Sequence, residues 1–307
     1  MASSSFQPLR FAVINDLHAQ FAPKPSQPGY PGANERAEWM LAQFSSGGAL
    51  AGMDFVVGAG DLIHGEDLRS ITAELKAMRQ RLKQLTVPFY PCCGNHEIRQ
   101  AEGNPAYEAP YWQTYGKDRF DYAISAGAAE IIVLNNAGTF HVTAKRREQR
   151  FDRLKHMLGA RPGVPKIVVC HVPLVAIRDR DILHRSFGFL SYRCLETEIL
   201  DLIDTHGADV RLVVSGHLHI SGMVKRHGVA HLVTAGTASF PHDYAMITVT
   251  SRTVAVEVGS LPRPLHNPAS NIHGPPRYTR GFTDPKHQTP RTYLRGNPSE
   301  RKFTVPI

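Results

Sequence analysis

The run Phe11-Ala12-Val13-Ile14-Asn15-Asp16-Leu17-His18 passes from apolar residues into a polar block, and the same transition recurs four more times. Gly60-Asp61 closes the run Asp54–Ala59, and Gly94-Asn95-His96-Glu97 closes Phe89–Cys93. His171 follows Ile167–Cys170, and Gly216-His217-Leu218-His219 follows Val210–Ser215. A β-branched or apolar run ending in a polar block reads as a strand that leaves a sheet and delivers side chains to its edge. Together the blocks hold two Asp, one Asn and five His. Hard-to-borderline divalent metals take this mixture of nitrogen and oxygen donors, and it suffices for two ions that share a bridging ligand.

Beyond these five, the apolar patterning predicts strands at Ile131–Asn135, His231–Ala235, Tyr244–Thr250 and Val254–Val258. Helical periodicity covers Asn34–Phe44, Glu66–Leu85, Lys145–Leu158 and Leu195–His206, each lying between strands. This alternation predicts an α/β architecture.

At 307 residues the chain suffices for one large domain or two small ones. No apolar run is long enough to span a membrane as a helix, and Met1-Ala-Ser-Ser-Ser-Phe6 lacks the basic-then-apolar pattern of a secretory signal. Cys92, Cys93, Cys170 and Cys194 form no CxxC pair and read as small buried hydrophobes in a reducing compartment, so a cytoplasmic location is expected. Charge is uneven: residues 261–307 carry eight Lys/Arg against Asp284 and Glu300, which is six of the chain's eight net positive charges. Nine Pro and little hydrophobic periodicity in the same stretch divide the chain into a body, 1–260, and a Pro-rich basic arm, 261–307. Such an arm is expected to wrap the body, the mouth of the site or a neighbouring copy in a homo-oligomer. Its scattered charges usually just solvate a chain, so nucleic-acid binding through it is the weaker expectation.

The ordered blocks DxH, GD, GNH(D/E), H and GHxH resemble the signature of the calcineurin-like metallophosphoesterases, and all five are intact across residues 11–219. The resemblance implies a four-layer α-β-β-α sandwich of two mixed sheets with a dinuclear metal site at the strand ends. It also implies roles. Asp16, His18 and His219 would bind the first metal, Asp61 would bridge both ions, and Asn95, His171 and His217 would bind the second. His96 would act on the substrate, donating to a phosphoryl oxygen or protonating the leaving group while a metal-bound hydroxide attacks phosphorus in line. The two cofactor ions would be Mn, Fe, Zn or a mixed or mixed-valence pair, which this donor set does not distinguish.

Departures from sister branches narrow the substrate. The stretch Gly60-Asp-Leu-Ile-His-Gly65 lacks the GDxVDRG of protein phosphatases, and His64 stands where purple acid phosphatases carry a metal-binding Tyr. His64 is a ligand or, preferably, a residue behind the ligands. The run Pro88–His96 looks most like the cyclic-nucleotide and glycerophosphodiester phosphodiesterases, although Glu97 replaces that branch's usual Asp. The expected activity is therefore a metal-dependent phosphodiesterase on small, anionic cyclic or linear phosphodiesters. A phosphomonoesterase or a nuclease of the same superfamily is the alternative. A non-catalytic scaffold is a further one, disfavoured because every expected ligand is present. Selectivity should come from Ala19–Asn34, from Ile98–Tyr115 with Tyr107, Tyr111, Trp112 and Tyr115, and from Arg178–Tyr192 with Arg178, Arg180 and Arg185. The aromatics offer a stacking surface for a base, but packing against the body is the commoner use of such residues. His184, His206, His242 and the arm histidines read as structural.

Overall fold

The structure is a computed structural model that describes residues 7–22, 29–99, 104–127, 129–138, 143–187, 194, 197–270 and 282–307. Within them the strands are β1 (Leu9–Ile14), β2 (Phe55–Ala59), β3 (Phe89–Cys92), β4 (Asp121–Ala126), β5 (Ala129–Leu134), β6 (Lys166–Cys170), β7 (Val210–Ser215), β8 (Gly222–Arg226), β9 (Val229–Val233), β10 (Asp243–Val249), β11 (Thr253–Ser260) and β12 (Lys302–Pro306). They form two six-stranded sheets, ordered β12-β11-β10-β1-β2-β3 and β4-β5-β6-β7-β9-β8. Strands β1, β2 and β3 run parallel, as do β5, β6, β7 and β9, while the remaining pairings are antiparallel, so both sheets are mixed.

Alternation along the strands sends one set of side chains between the sheets and the other toward helices. Phe11, Val13 and Val57 of the first sheet meet Ile131, Val133, Val169 and Val214 of the second in one inner core. On the outer face of the first sheet, Ala12, Ile14 and Val56 pack with Met40 of α1 (Ala33–Ala42) and Ile71, Leu75 and Met78 of α2 (Leu68–Leu82). On the outer face of the second, Ile132, Val168 and Val213 pack with Leu154 and Leu158 of α5 (Ala144–Gly159) and Ile199 of α7 (Thr197–His206). The result is the helix-sheet-sheet-helix sandwich expected from the sequence. Shorter helices α3 (Asn95–Ile98), α4 (Ala109–Tyr115), α6 (Arg180–Phe187), α8 (Pro290–Arg295) and α9 (Pro298–Arg301) fill the connections.

All nine expected strands are present, with ends shifted by a residue or two. The expected second helix starts later than Glu66 because the Asp67 carboxylate caps it, accepting from the Ser70 amide. The first two residues of the helix expected at Leu195–His206 lie outside the described residues, as do Tyr192, Arg277 and Arg280. Strand β12 arises from the basic stretch and pairs antiparallel with β11 as the edge of the first sheet. Just before it, Arg301 donates to both carboxylate oxygens of the fully buried Asp243, at 2.5 and 3.0 Å. All four cysteines are buried. Among the described residues no helix is long and apolar enough to cross a membrane.

Candidate metal centre

Parallel strands carry their carboxyl ends to one edge, and five such ends meet here. The exit of β1 bears Asp16 and His18, β2 is followed by Asp61, and β3 runs into α3 with Asn95 and His96. From the second sheet, β6 is followed by His171 and β7 by His217 and His219. The exit loops are laced by backbone hydrogen bonds. The amides of Asp16 and His18 donate to Gly60 O and Asp61 O, both at 3.0 Å, and the Gly216 amide donates to His171 O at 2.9 Å. Asp16, His18, Asp61, His217 and His219 all have positive φ, between 44° and 69°. Non-glycine residues occupy that region at a cost on the order of 1–3 kcal/mol each, and such strain concentrates at functional sites. Gly60, at φ 88°, is required sterically as well, since a Cβ there would lie 2.5 Å from His171 Nδ1.

Donor atoms form two clusters. In the first, His219 Nε2 lies 3.2 Å from Asp16 Oδ1 and 3.1 Å from His18 Nε2. In the second, His171 Nε2 lies 3.1 Å from both Asp61 Oδ2 and Asn95 Oδ1, and His217 Nδ1 lies 2.9 Å from Asn95 Oδ1. Asp61 Oδ2 is also 3.8 Å from His18 Nε2, which places it between the clusters.

Proton accounting shows what the clusters need. His171 Nδ1 sits 2.9 Å from Ala59 O, which can only accept, so Nδ1 carries a proton and Nε2 is the nitrogen turned toward the two oxygens. Asp16 Oδ1 is buried without a hydrogen-bond partner. Burial pushes His18 down to about 3 and His217 down to about 4, so both rings are neutral near pH 7. Burial also opposes charge on His171, but the Asp61 carboxylate outweighs it and holds the ring up to about 10; a proton and a cation compete for that one lone pair. For Asp16 burial is likewise outweighed, by His219 and His18, and its carboxyl stays well below the usual range. Buried nitrogen and oxygen donors gathered this closely, with Asp16 Oδ1 left unpartnered, suit a cation set among them. The residues present therefore fit metal ions.

The histidine expected to act on substrate stands beside the first cluster. His96 meets the His18 ring edge-on at 4.6 Å and stacks on His64 at 5.2 Å, and its Nδ1 has no hydrogen-bond partner. His18, His64 and His96 also present one nitrogen each within 4.8 Å of one another.

Several contributors were not singled out by sequence reasoning. The Tyr30 ring, shortly before α1, lies 4.8 Å from His18 and 5.4 Å from His219. Ser239 Oγ lies 2.5 Å from His219 Nδ1, fixing that ring from a loop with no sequence signal of its own. Glu97 looks in sequence like a mere departure from a motif. In the structure its buried carboxylate accepts from the amides of Asp61, Leu62 and Gly94 at 2.9, 2.7 and 2.8 Å, tying the exits of β2 and β3 together. Burial and the neighbouring Asp61 push Glu97 up to about 7. By contrast, Tyr111 and Tyr115 pack into the outer core of the first sheet, where α4 meets α2. Buried Arg178 donates to Tyr293 O, Ser221 O and Glu300, while Arg180 and Arg185 are exposed.

The model of the calcineurin-like phosphoesterase family matches residues 9–221. No curated protein matches the sequence. Among solved structures, a dimetal phosphatase from Danio rerio is similar at 16% identity and TM-score 0.59, over 81% of this chain and 95% of that one. A purple acid phosphatase from yellow lupin (Lupinus luteus) seeds is similar at 13% identity and TM-score 0.61, over 83% of this chain and 52% of that one. GAP50, the anchor in the inner membrane complex of Plasmodium, is similar at 14% identity and TM-score 0.54, over 82% and 84%. At such identities the likeness is one of fold.

Proposed function

This chain belongs to the calcineurin-like phosphoesterase family, and we propose that it is a two-metal hydrolase acting on small cyclic or linear phosphodiesters. One observation carries the reading: the Asp61 carboxylate lies between two clusters of inward-facing nitrogen and oxygen donors, 3.1 Å from His171 Nε2 and 3.8 Å from His18 Nε2. Asp16, His18 and His219 hold the first ion, Asn95, His171 and His217 the second, and Asp61 both. When bound, two divalent cations neutralise the phosphoryl oxygens and bring the pKa of water toward neutrality.

The chain's own residues do the rest. Asn95 contributes a neutral oxygen, which keeps the centre more cationic for an anionic substrate than an aspartate would. His96 holds an unpaired Nδ1 beside the first cluster, where it reaches a phosphoryl oxygen or the leaving oxygen. Preference for a diester has a charge argument. A monoester brings a further negative oxygen that needs its own cation, yet among the described residues the two buried arginines, Arg36 of α1 and Arg178, are committed elsewhere. Arg36 donates to Thr237 O, Ala238 O and Pro31 O, and Arg178 donates to backbone carbonyls and Glu300. The run Pro88–His96 supports the same branch by its resemblance.

The test compares bis(p-nitrophenyl) phosphate with p-nitrophenyl phosphate on apo-protein reconstituted with Mn, Fe, Zn or no metal. Metal-dependent turnover favouring the diester is expected. Preference for the monoester would make the protein a phosphatase, and silence with every metal would favour a scaffold.

A further inference from the structure

His18 faces two ways. Its Nε2 points into the first cluster, 3.1 Å from His219 Nε2, and its Nδ1 lies 3.4 Å from His64 Nδ1. The far side of His64 is also engaged, with Nε2 at 3.3 Å from Glu66 Oε1, and Glu66 Oε2 lies 3.3 Å from Arg99 Nη1. His64 is itself held in place. Its amide faces the Glu74 carboxylate at 3.1 Å, and its ring stacks on His96.

We infer that Glu66 and His64 form a positioning chain that locks His18 in the tautomer able to bind a cation through Nε2, and that His64 is not a ligand. The inference rests on His18 being a ligand, as proposed above. A neutral imidazole carries one proton. With the Nε2 lone pair given to a cation, His18 must be protonated at Nδ1, and that N–H meets His64 Nδ1. His64 then accepts at Nδ1 and must donate from Nε2, where Glu66 stands as acceptor. Every donor then has an acceptor within 3.4 Å. In the opposite assignment His18 would aim a proton into the metal cluster, and His64 would set a lone pair against a carboxylate. Only the first assignment is satisfied throughout.

Each cluster already shows a simpler version of this arrangement: His171 is oriented by a backbone carbonyl and His219 by Ser239. The His18 chain differs in ending on a carboxylate. A carboxylate-backed partner raises the donor strength of a ligating ring, and loss of such partners typically weakens metal affinity about 10- to 100-fold. The chain thus strengthens the first cluster's hold on its ion without touching the second.

The experiment titrates the full-length apo-protein with Mn(II) by calorimetry and with Co(II) by its visible d–d absorption, in the native chain and in His64→Leu, His64→Gln and Glu66→Gln. Native protein should bind two ions. His64→Leu should weaken one step by about 10- to 100-fold and shift the Co(II) spectrum of that step, leaving the other step unchanged. His64→Gln, whose amide oxygen can accept from His18, should recover most of the loss, and Glu66→Gln should weaken the same step by less. If His64→Leu does not fold, Glu66→Gln decides, because Glu66 is only partly buried. Two unaltered steps in the folded variants would overturn the chain while leaving the two-metal reading intact. Three ions in the native protein falling to two in His64→Leu would overturn it by making His64 a ligand. No binding by the native protein would overturn both.

Discussion

Asp61 carries more of the site than any other side chain. One oxygen stands between the two clusters, and the other accepts the His96 amide at 2.8 Å, so the carboxylate also places the residue expected to act on substrate. Asp61→Ala should therefore abolish both metal occupancy and turnover, measured by elemental analysis and by hydrolysis of bis(p-nitrophenyl) phosphate. Full activity in that variant would remove the two-metal mechanism. His96 separates the two properties. Its side chain belongs to neither cluster, so His96→Ala should keep metal near the native level and lose about 10²- to 10⁴-fold in turnover. Loss of metal instead would make His96 a ligand. At this scale the sequence was most legible where a side chain is both chemically distinctive and placed at a strand end, as with Asp16, Asp61 and His171. Residues that work through partners distant in sequence were not. Nothing around Ser239 marks it as the partner of His219, and Glu97 declares its role only once the amides of Asp61 and Leu62 fold against it.

Among the elements, α2 holds a carboxylate under tension. Glu74 is buried and accepts the His64 amide, and burial pushes it up to about 7 from an ordinary value near 4.5. Between those values the folded chain binds more protons than the unfolded one, so stability falls as pH rises through this window and the cost is complete above about pH 7. Glu74→Gln keeps an accepting oxygen and removes the charge. Urea denaturation should show it gaining about 1–3 kcal/mol relative to the native protein on going from pH 5 to pH 8. An identical pH dependence in the two proteins would contradict this. A second element, β12, depends on the Arg301–Asp243 pair. Asp243 is fully buried, and Arg301→Ala would leave its charge to the hydroxyls of Ser221 and Ser260 alone. The expected loss is about 3–5 kcal/mol of stability. Unchanged stability would show that β12 is held by its ladder with β11 instead.

The strands that escaped the sequence reading share a physical cause. In β4 the outer half is open to solvent, and Asp121-Tyr-Ala-Ile-Ser-Ala126 lacks the continuous apolar run of a buried strand. In β8, Gly222-Met-Val-Lys-Arg226 is short and mostly half-exposed, and it is a strand because β9 pairs with it across a tight turn. In β12 the stretch Lys302–Pro306 is mainly exposed and sits among prolines and charges. All three lie at or near a sheet edge, where burial on one side no longer imposes a pattern. The central parallel strands β1, β2, β6 and β7 are largely buried on both faces and carry most of the legible signal and, together with the half-buried edge strand β3, the site.

Taken as a whole molecule, the sandwich brings two sheets together so that the exits of β1, β2 and β3 face those of β6 and β7. The first cluster draws on β1 and β7, and the second on β2, β3, β6 and β7, so neither cluster can be assembled by one sheet alone. A centre built this way should hold its ions side by side, sharing Asp61. Electron paramagnetic resonance of the apo-protein loaded with two equivalents of Mn(II) examines that arrangement directly, because two Mn(II) ions bridged by a carboxylate are exchange-coupled. A coupled spectrum should appear at two equivalents in the native chain and be absent from Asp61→Ala. Only the six-line signal of isolated Mn(II), at every loading of the native protein, would contradict the shared centre.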